Sequence, residues 1–198
     1  MSNFAESDVT AVQENFSEVL VKTIGSDLLK KWDAEVLTDG TVRFNKPENQ
    51  FDTGSAILKE QFKRDLDEFI PLYLKVMELP QFKGKISEIH IDGHTSVIWN
   101  STTSLKDAYF LNMRLSQDRT VNTLQYVLSS AVVQSEYSWY QKHTVSNGYS
   151  SSRPRVDNPT AQENQRVEFK VIIDDPRDPK QAPASTKRKE WQINIKEQ

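Results

Sequence analysis

The 198-residue chain contains no cysteine. That excludes disulfides, thiolate metal sites and cysteine nucleophiles. It is compatible with an oxidising compartment without requiring one. No run of roughly 18 apolar residues occurs, so no segment reads as a membrane-spanning helix. Residues Met1 to Val12 lack a basic region followed by an apolar block, so no signal peptide is read there. The expectation is a cytosolic protein or a soluble piece of a longer one. Neither sign of charge predominates: 25 basic residues stand against 28 acidic ones, for a net charge of −3. A nucleic-acid binder would be clearly basic. His90, His94 and His143 are scattered and lack metal-ligand spacing. No metal, cofactor or catalytic triad is expected, since no nucleophile has a base at hand.

What is present is a core of ordinary size and an alternation of helices and strands. Val9, Val12, Phe16, Leu20 and Ile24 recur at spacings of three and four, and Leu28, Leu29 and Trp32 extend the stripe. This predicts a helix over about residues 8–35. It serves either as a dimer contact or as a helix packed on its own domain. Thr38-Asp-Gly40 marks a turn before a strand over 41–45. A second helix is expected over about 56–78, kinked or split by Pro71. A strand covers Ile86 to Ile91. A short helix over about 104–112 and a longer one over about 115–134 follow. Lys142 to Ser146 reads as a strand. Gly148 to Asn164 is a polar loop with a helical turn at Thr160 to Glu163, and Arg166 to Ile173 alternates as a last strand. Beyond Asp174 the composition is linker-like. Trp191, Ile193 and Ile195 there suggest an edge strand or partner contact, with a mobile tail as the plainer alternative. The order suggests an α+β sandwich, helices on one face of a mixed sheet.

Two segments carry binding chemistry. Asp92-Gly-His-Thr-Ser96 places a glycine and two hydroxyl residues after a strand, a concavity suited to an anion, or else a plain turn. In Asn112 to Arg119, Ser116 reads as a helix N-cap and Arg119 falls in the first turn. A cation there opposes the helix dipole and calls for a compensating carboxylate. A ligand would supply one through the bidentate fork of arginine. The alternatives are a salt bridge to Asp118, Asp107 or Glu163, or packing over the sheet.

Asn112-x2-Leu115-Ser116-x2-Arg119 resembles the signature helix of the OmpA-like peptidoglycan-binding domain. Phe51-Asp-Thr-Gly-Ser-Ala56, Ile89-His-Ile-Asp-Gly-His-Thr95, and Gly148-Tyr with Arg153-Pro154 and Asn164-Gln-Arg-Val-Glu168 resemble three further motifs in the family's order. The likeness covers about residues 41–174. It implies a β-α-β-α-β sandwich that binds the diaminopimelate of the peptidoglycan stem and performs no catalysis. Arg119 matches the carboxylate-binding arginine. Asn112 and Leu115 match other signature positions, and Thr95 lies beside the ligand loop.

One departure is Ser96, where the family keeps an aspartate that receives the ligand's ammonium. Losing that bond forfeits about 1.5–3 kcal/mol, unless Asp92 or Asp107 stands in. A second is a longer stretch from Val97 to Leu111, with Trp99, Tyr109 and Phe110 either packed or available to sugar rings. Ser96-x2-Trp99 and Ser150-Ser-Ser-Arg153 most resemble the MotB-like subunits of ion-driven motors, including those of the Zorya anti-phage defence system. The resemblance implies a periplasmic anchor tethered to the inner membrane, a homodimer, and a MotA-like membrane subunit reached through a transmembrane segment absent here. Residues 1–40 would be the linker or dimerisation helix, 41–174 the binding domain and 175–198 a polar tail. The other reading is a protein-interaction scaffold on the same fold, without wall binding.

Overall fold

The computed structural model describes residues 3–155 and 162–173, with side chains from Val9 onward. The linker after Ile173 and the Trp191 tail lie outside the described residues. Helix α1 (Asn3–Ile24) is followed by α2 (Ser26–Trp32), strands β1 (Ala34–Val36) and β2 (Val42–Phe44), the single turn α3 (Pro47–Gln50), and α4 (Glu60–Met77). Then come β3 (Ile86–His94), α5 (Leu105–Ser129), a 3-10 segment (Ala131–Glu136), α6 (Tyr137–His143), β4 (Thr144–Gly148), a 3-10 turn (Gln162–Asn164) and β5 (Arg166–Ile173).

The five strands form one mixed sheet in the order β1-β2-β5-β3-β4. Only β3 and β4 run parallel, because α5 and α6 intervene between them; the other neighbours are antiparallel. The expected α+β architecture is present. One sheet face carries Val42, Phe44, Ile89, Ile91, Val167, Phe169, Val171 and Ile173, all buried. Phe69 of α4 meets Phe169 at 5.1 Å and Phe44 at 5.4 Å, both edge-on, a favourable aromatic geometry.

The predicted helix over 8–35 is broken at Gly25, whose φ of 81° stops α1. Phe16 and Leu20 are fully buried, and Phe16 packs edge-on against Phe82 at 5.0 Å and Tyr73 at 6.1 Å. A boundary at residue 40 therefore falls inside this core. Trp32 follows the same logic: it is buried, and its indole N–H donates to Glu68 at 3.0 Å. Helix α4 begins at Glu60, later than expected, and continues through Pro71 as one element.

The helices expected over 104–112 and 115–134 are one element. Ser104, not Ser116, is the N-cap: its Oγ accepts from the Asp107 N–H at 3.1 Å. Ser116 sits mid-helix with no exposure. The pattern misleads because the inward face of α5 is polar. Asn112, Ser116, Arg119, Thr120 and Thr123 are buried, while Leu105, Phe110 and Val121 are exposed. A sheet-facing helix is ordinarily apolar inside.

Gly93 and His94 belong to β3 rather than to a turn. Gly93 pairs in register with Gly148 of β4. A Cβ on Gly93 would lie 2.8 Å from the Ser116 carbonyl oxygen, and one on Gly148 would lie 2.5 Å from the Gln117 nitrogen. The paired glycines let α5 settle directly on the two parallel strands.

Candidate functional site

Arg119 projects from the polar face of α5 towards the loop between α3 and α4. It is 5% exposed. Its Nε donates to the Ser55 carbonyl at 2.9 Å and its Nη2 to the Asp52 carbonyl at 3.2 Å. The guanidinium carbon lies 4.7 Å from the centre of the Phe51 ring, within cation–π range. One turn on, Asn122 Nδ2 donates to the Ala56 carbonyl at 2.8 Å. The Phe51–Ala56 loop is thereby fastened to α5 by its own backbone, which sets the guanidinium in place. Burial pushes the Arg119 pKa down to about 10, so the group remains cationic at neutral pH.

No carboxylate among the described residues forms an ion pair with Arg119. Asp107 is engaged by Ser104 at 2.7 Å, and neither Asp118 nor Glu163 pairs with Arg119. The guanidinium instead borders a cavity of 330 Å³ lined by Pro47, Glu48, Phe51, Asp52, Thr53, Lys59, Gln162 and Gln165. A larger cleft of 570 Å³ lies at the start of β3, between Met77, Phe82, Trp139 and Tyr140. It contains none of the residues singled out from the sequence, so size alone does not locate the site.

The remaining sequence-derived residues lie elsewhere around α5. The Thr95 N–H donates to the Ser150 carbonyl at 2.8 Å, and the buried Thr95 Oγ has no partner among the described residues. Ser96 is buried at the end of the same segment. Asn112 Nδ2 reaches the Ile98 carbonyl at 3.3 Å and so ties down the longer stretch after Ser96. Leu115 is half-buried. Asp92 accepts from Asn147 at 2.8 Å on the opposite sheet face. Of these residues only Arg119 borders the 330 Å³ cavity. In the longer stretch, Trp99 is half-buried and Phe110 is exposed.

Sequence reading noted Ser150 only within a resemblance motif and gave it no role. It is fully buried with φ 51°, an uncommon conformation for a residue other than glycine. Its N–H donates to Ser116 Oγ at 3.0 Å and its own Oγ to the Tyr109 carbonyl at 2.8 Å. With Thr95 it joins the ends of β3 and β4 to α5. Within that motif nothing in the residue types sets it apart from Ser151 and Ser152.

The second missed feature is a charge cluster on the sheet face opposite α4 and α5. Glu35, Arg43, Glu168 and Asp92 fall in one row across four strands by register. Glu168 Oε1 accepts from Arg43 Nε and Arg166 Nε, each at 2.6 Å. Burial alone would raise the Glu168 pKa, but His94, Arg166 and Arg43 outweigh it and hold the carboxyl well below its usual range. His94 stacks on Tyr149 at 5.2 Å, and Arg153 covers the other partner of that stack, 3.7 Å from the Tyr149 ring. Burial is the main cause that lowers the His94 pKa. Its Nε2 stands 3.6 Å from Glu168 Oε2, longer than a hydrogen bond.

Comparison with known proteins supplies the frame for this geometry. No family model matches the chain. Over 148 residues it is 40% identical to the Zorya protein ZorB of Escherichia coli, covering 73% of this chain and 62% of that protein. The chain thus spans about three-fifths of the length of that curated relative. The solved structure of a MotB-like protein from Desulfovibrio vulgaris superposes with a TM-score of 0.62 at 18% identity, covering 85% of this chain and 98% of that one. The cell wall anchor of the T6SS from Pseudomonas aeruginosa gives 0.53 at 19% identity, covering 78% and 97%. The two structures establish the shared fold, and the sequence relative narrows the kind.

Proposed function

Starting from a chain that is an OmpA-like domain of the MotB-like kind, we propose that it is a non-catalytic anchor for the peptide stem of peptidoglycan. It would act in the periplasm as the wall-binding part of a motor subunit tethered to the inner membrane. A MotA-like membrane partner and pairing with a second copy belong to the same proposal. The observation that carries it is Arg119, a buried cation with no carboxylate partner among the described residues, set at the edge of a cavity.

Of the five N–H groups of an arginine, two serve the Ser55 and Asp52 carbonyls. The other three are available to a ligand. A carboxylate entering the cavity would take two of them in a fork and neutralise a charge that the fold leaves largely buried. Such charge-assisted bonds strengthen away from bulk water, because competing hydration is already lost. The stem's diaminopimelate ends in a carboxylate of this kind.

Co-sedimentation with purified sacculi tests the reading. The wild-type chain is expected in the pellet, and Arg119→Ala is expected to reduce the bound fraction at least about tenfold, the loss of roughly one charged contact. Arg119→Lys should rescue poorly, because an ammonium is a point charge without the fork. Thermal melts of both variants separate lost contact from lost fold. A wild-type chain left in the supernatant, or an alanine variant pelleting as well as wild type, overturns the proposal.

A further inference from the structure

The cavity beside Arg119 holds four charged side chains, and two of them neutralise each other. Lys59 Nζ lies 3.0 Å from Asp52 Oδ1. That leaves Arg119 and Glu48 on its walls. Neither has an ion-pair partner among the described residues, and they do not pair with each other. Glu48 is exposed and, among the described residues, accepts a long hydrogen bond of 3.3 Å from Gln162 Nε2. An unpaired cation and an unpaired anion bordering one small space form a receptor for a molecule bearing both charges close together.

Glu48 is not there by accident of a loose loop. It lies in α3, whose Pro47 suits the first helical position by its fixed φ. Gln50, 2% exposed, closes the turn from within: its Nε2 donates to the Phe44 carbonyl at 2.9 Å, and its carbonyl accepts from the Lys59 N–H at 2.9 Å. The turn is therefore pinned to β2 on one side and to the start of α4 on the other. The backbone beneath the exposed Glu48 is thus held beside the cavity.

We propose that Glu48 receives the ammonium of the zwitterion whose carboxylate Arg119 holds. The cavity then selects an α-amino-acid head group over a simple carboxylate. The inference rests on the reading of Arg119 as the carboxylate grip and adds the identity of the second contact. It also assigns the ammonium role to a residue far in sequence from Ser96. Asp92, engaged by Asn147 on the opposite sheet face, and Asp107, engaged by Ser104, are both spoken for. A ligand with a carboxylate alone would meet Arg119 favourably but leave Glu48 unneutralised at the cavity wall.

Titration calorimetry of the full chain separates the two contacts. The probes are a stem tripeptide ending in meso-diaminopimelate and the same tripeptide ending in 2-aminopimelate, which keeps the distal carboxylate and lacks the distal ammonium. Wild type is expected to prefer the first probe by about tenfold, or about 1.4 kcal/mol. Glu48→Gln should shrink the preference below about threefold by weakening the first probe only, since the second makes no use of the charge. Glu60→Gln, an exposed carboxylate on α4 paired with Lys63, controls for general charge and should keep the wild-type ratio. Glu48→Gln retaining a tenfold preference overturns the assignment and leaves the Arg119 reading standing. Equal, Arg119-dependent binding of both probes by wild type does the same. Binding of neither probe overturns both.

Discussion

Glu168→Ala is expected to lower the stability of the domain by about 3–5 kcal/mol, the usual result of leaving buried charge without its partner. The carboxylate is 9% exposed and receives Arg43 and Arg166 together. Removing it strands two guanidinium groups, and Arg166 is itself 6% exposed. Arg43 retains Glu35 at 3.2 Å, and Arg166 retains the carbonyls of Asn164 and Arg153. The loss therefore falls short of full collapse and corresponds to a fall in Tm of roughly 10 °C or more for a domain of this size. An unchanged melt would show that the cluster contributes nothing net.

The same cluster fixes the direction of the pH dependence. The folded-state pKa of Glu168 is depressed, so its contribution is complete above the unfolded value of about 4.3. It is lost as pH falls from there towards the folded value. His94 acts earlier. Its folded-state pKa is also lowered, so below about 6.5 the unfolded chain takes the proton first and is favoured. Thermal melts from pH 7 to pH 3 should therefore decline in two stages. Glu168→Gln, which cannot ionise, should flatten the lower stage. A wild-type melt that is level across this range would contradict both assignments.

Gly148→Ala is the second large effect, and its origin is steric. The added methyl would lie 2.5 Å from the Gln117 backbone nitrogen and 2.8 Å from Ser116 Oγ. A backbone atom in the middle of a long helix cannot rotate aside, so α5 must lift. Overpacking of this kind costs about 1–3 kcal/mol. Ser116 Oγ also accepts the Ser150 N–H, so the same shift disturbs the junction of β3, β4 and α5. Because Arg119 lies within a turn of Gln117, sacculus retention should fall along with Tm. Gly54→Ala offers the contrast: nothing lies within 4 Å of its Cβ position, and only its φ of 69° resists the change. It should cost about 1–2 kcal/mol, the penalty of a left-handed alanine alone. If Gly148→Ala melts no lower than Gly54→Ala, the close seating of α5 is not limiting.

Arg119 was legible in the sequence as a candidate cation on the helix, although the local argument for singling it out fails. It was read as a first-turn cation opposing a helix dipole. It lies in the middle of α5, and what makes it available is burial without a counter-charge. The error came from Ser116, whose residue type suits an N-cap but whose hydroxyl instead links Met113 and Ser150. Propensity weighs a serine against local backbone; here tertiary contacts outweigh it. Glu48 left no trace in a linear pattern, since a lone glutamate after Lys46-Pro47 reads as solvated loop.

The strands of the inner sheet face were settled by the sequence, because alternation of apolar residues over Arg166–Ile173 and Val42–Phe44 admits one buried side. So was the spacing that places arginine on the same helix face as Asn112 and Ser116. Tertiary structure alone decided that Leu105–Ser129 is one helix with a polar underside, that α1 is part of the core, and that Asp92 faces away from Arg119. Each depends on which surfaces meet. Two paired glycines remove the side chains that would hold α5 off the sheet, and its polar face is satisfied there by loop carbonyls at Arg119 and Asn112 and by the helix's own carbonyls at Ser116, Thr120 and Thr123.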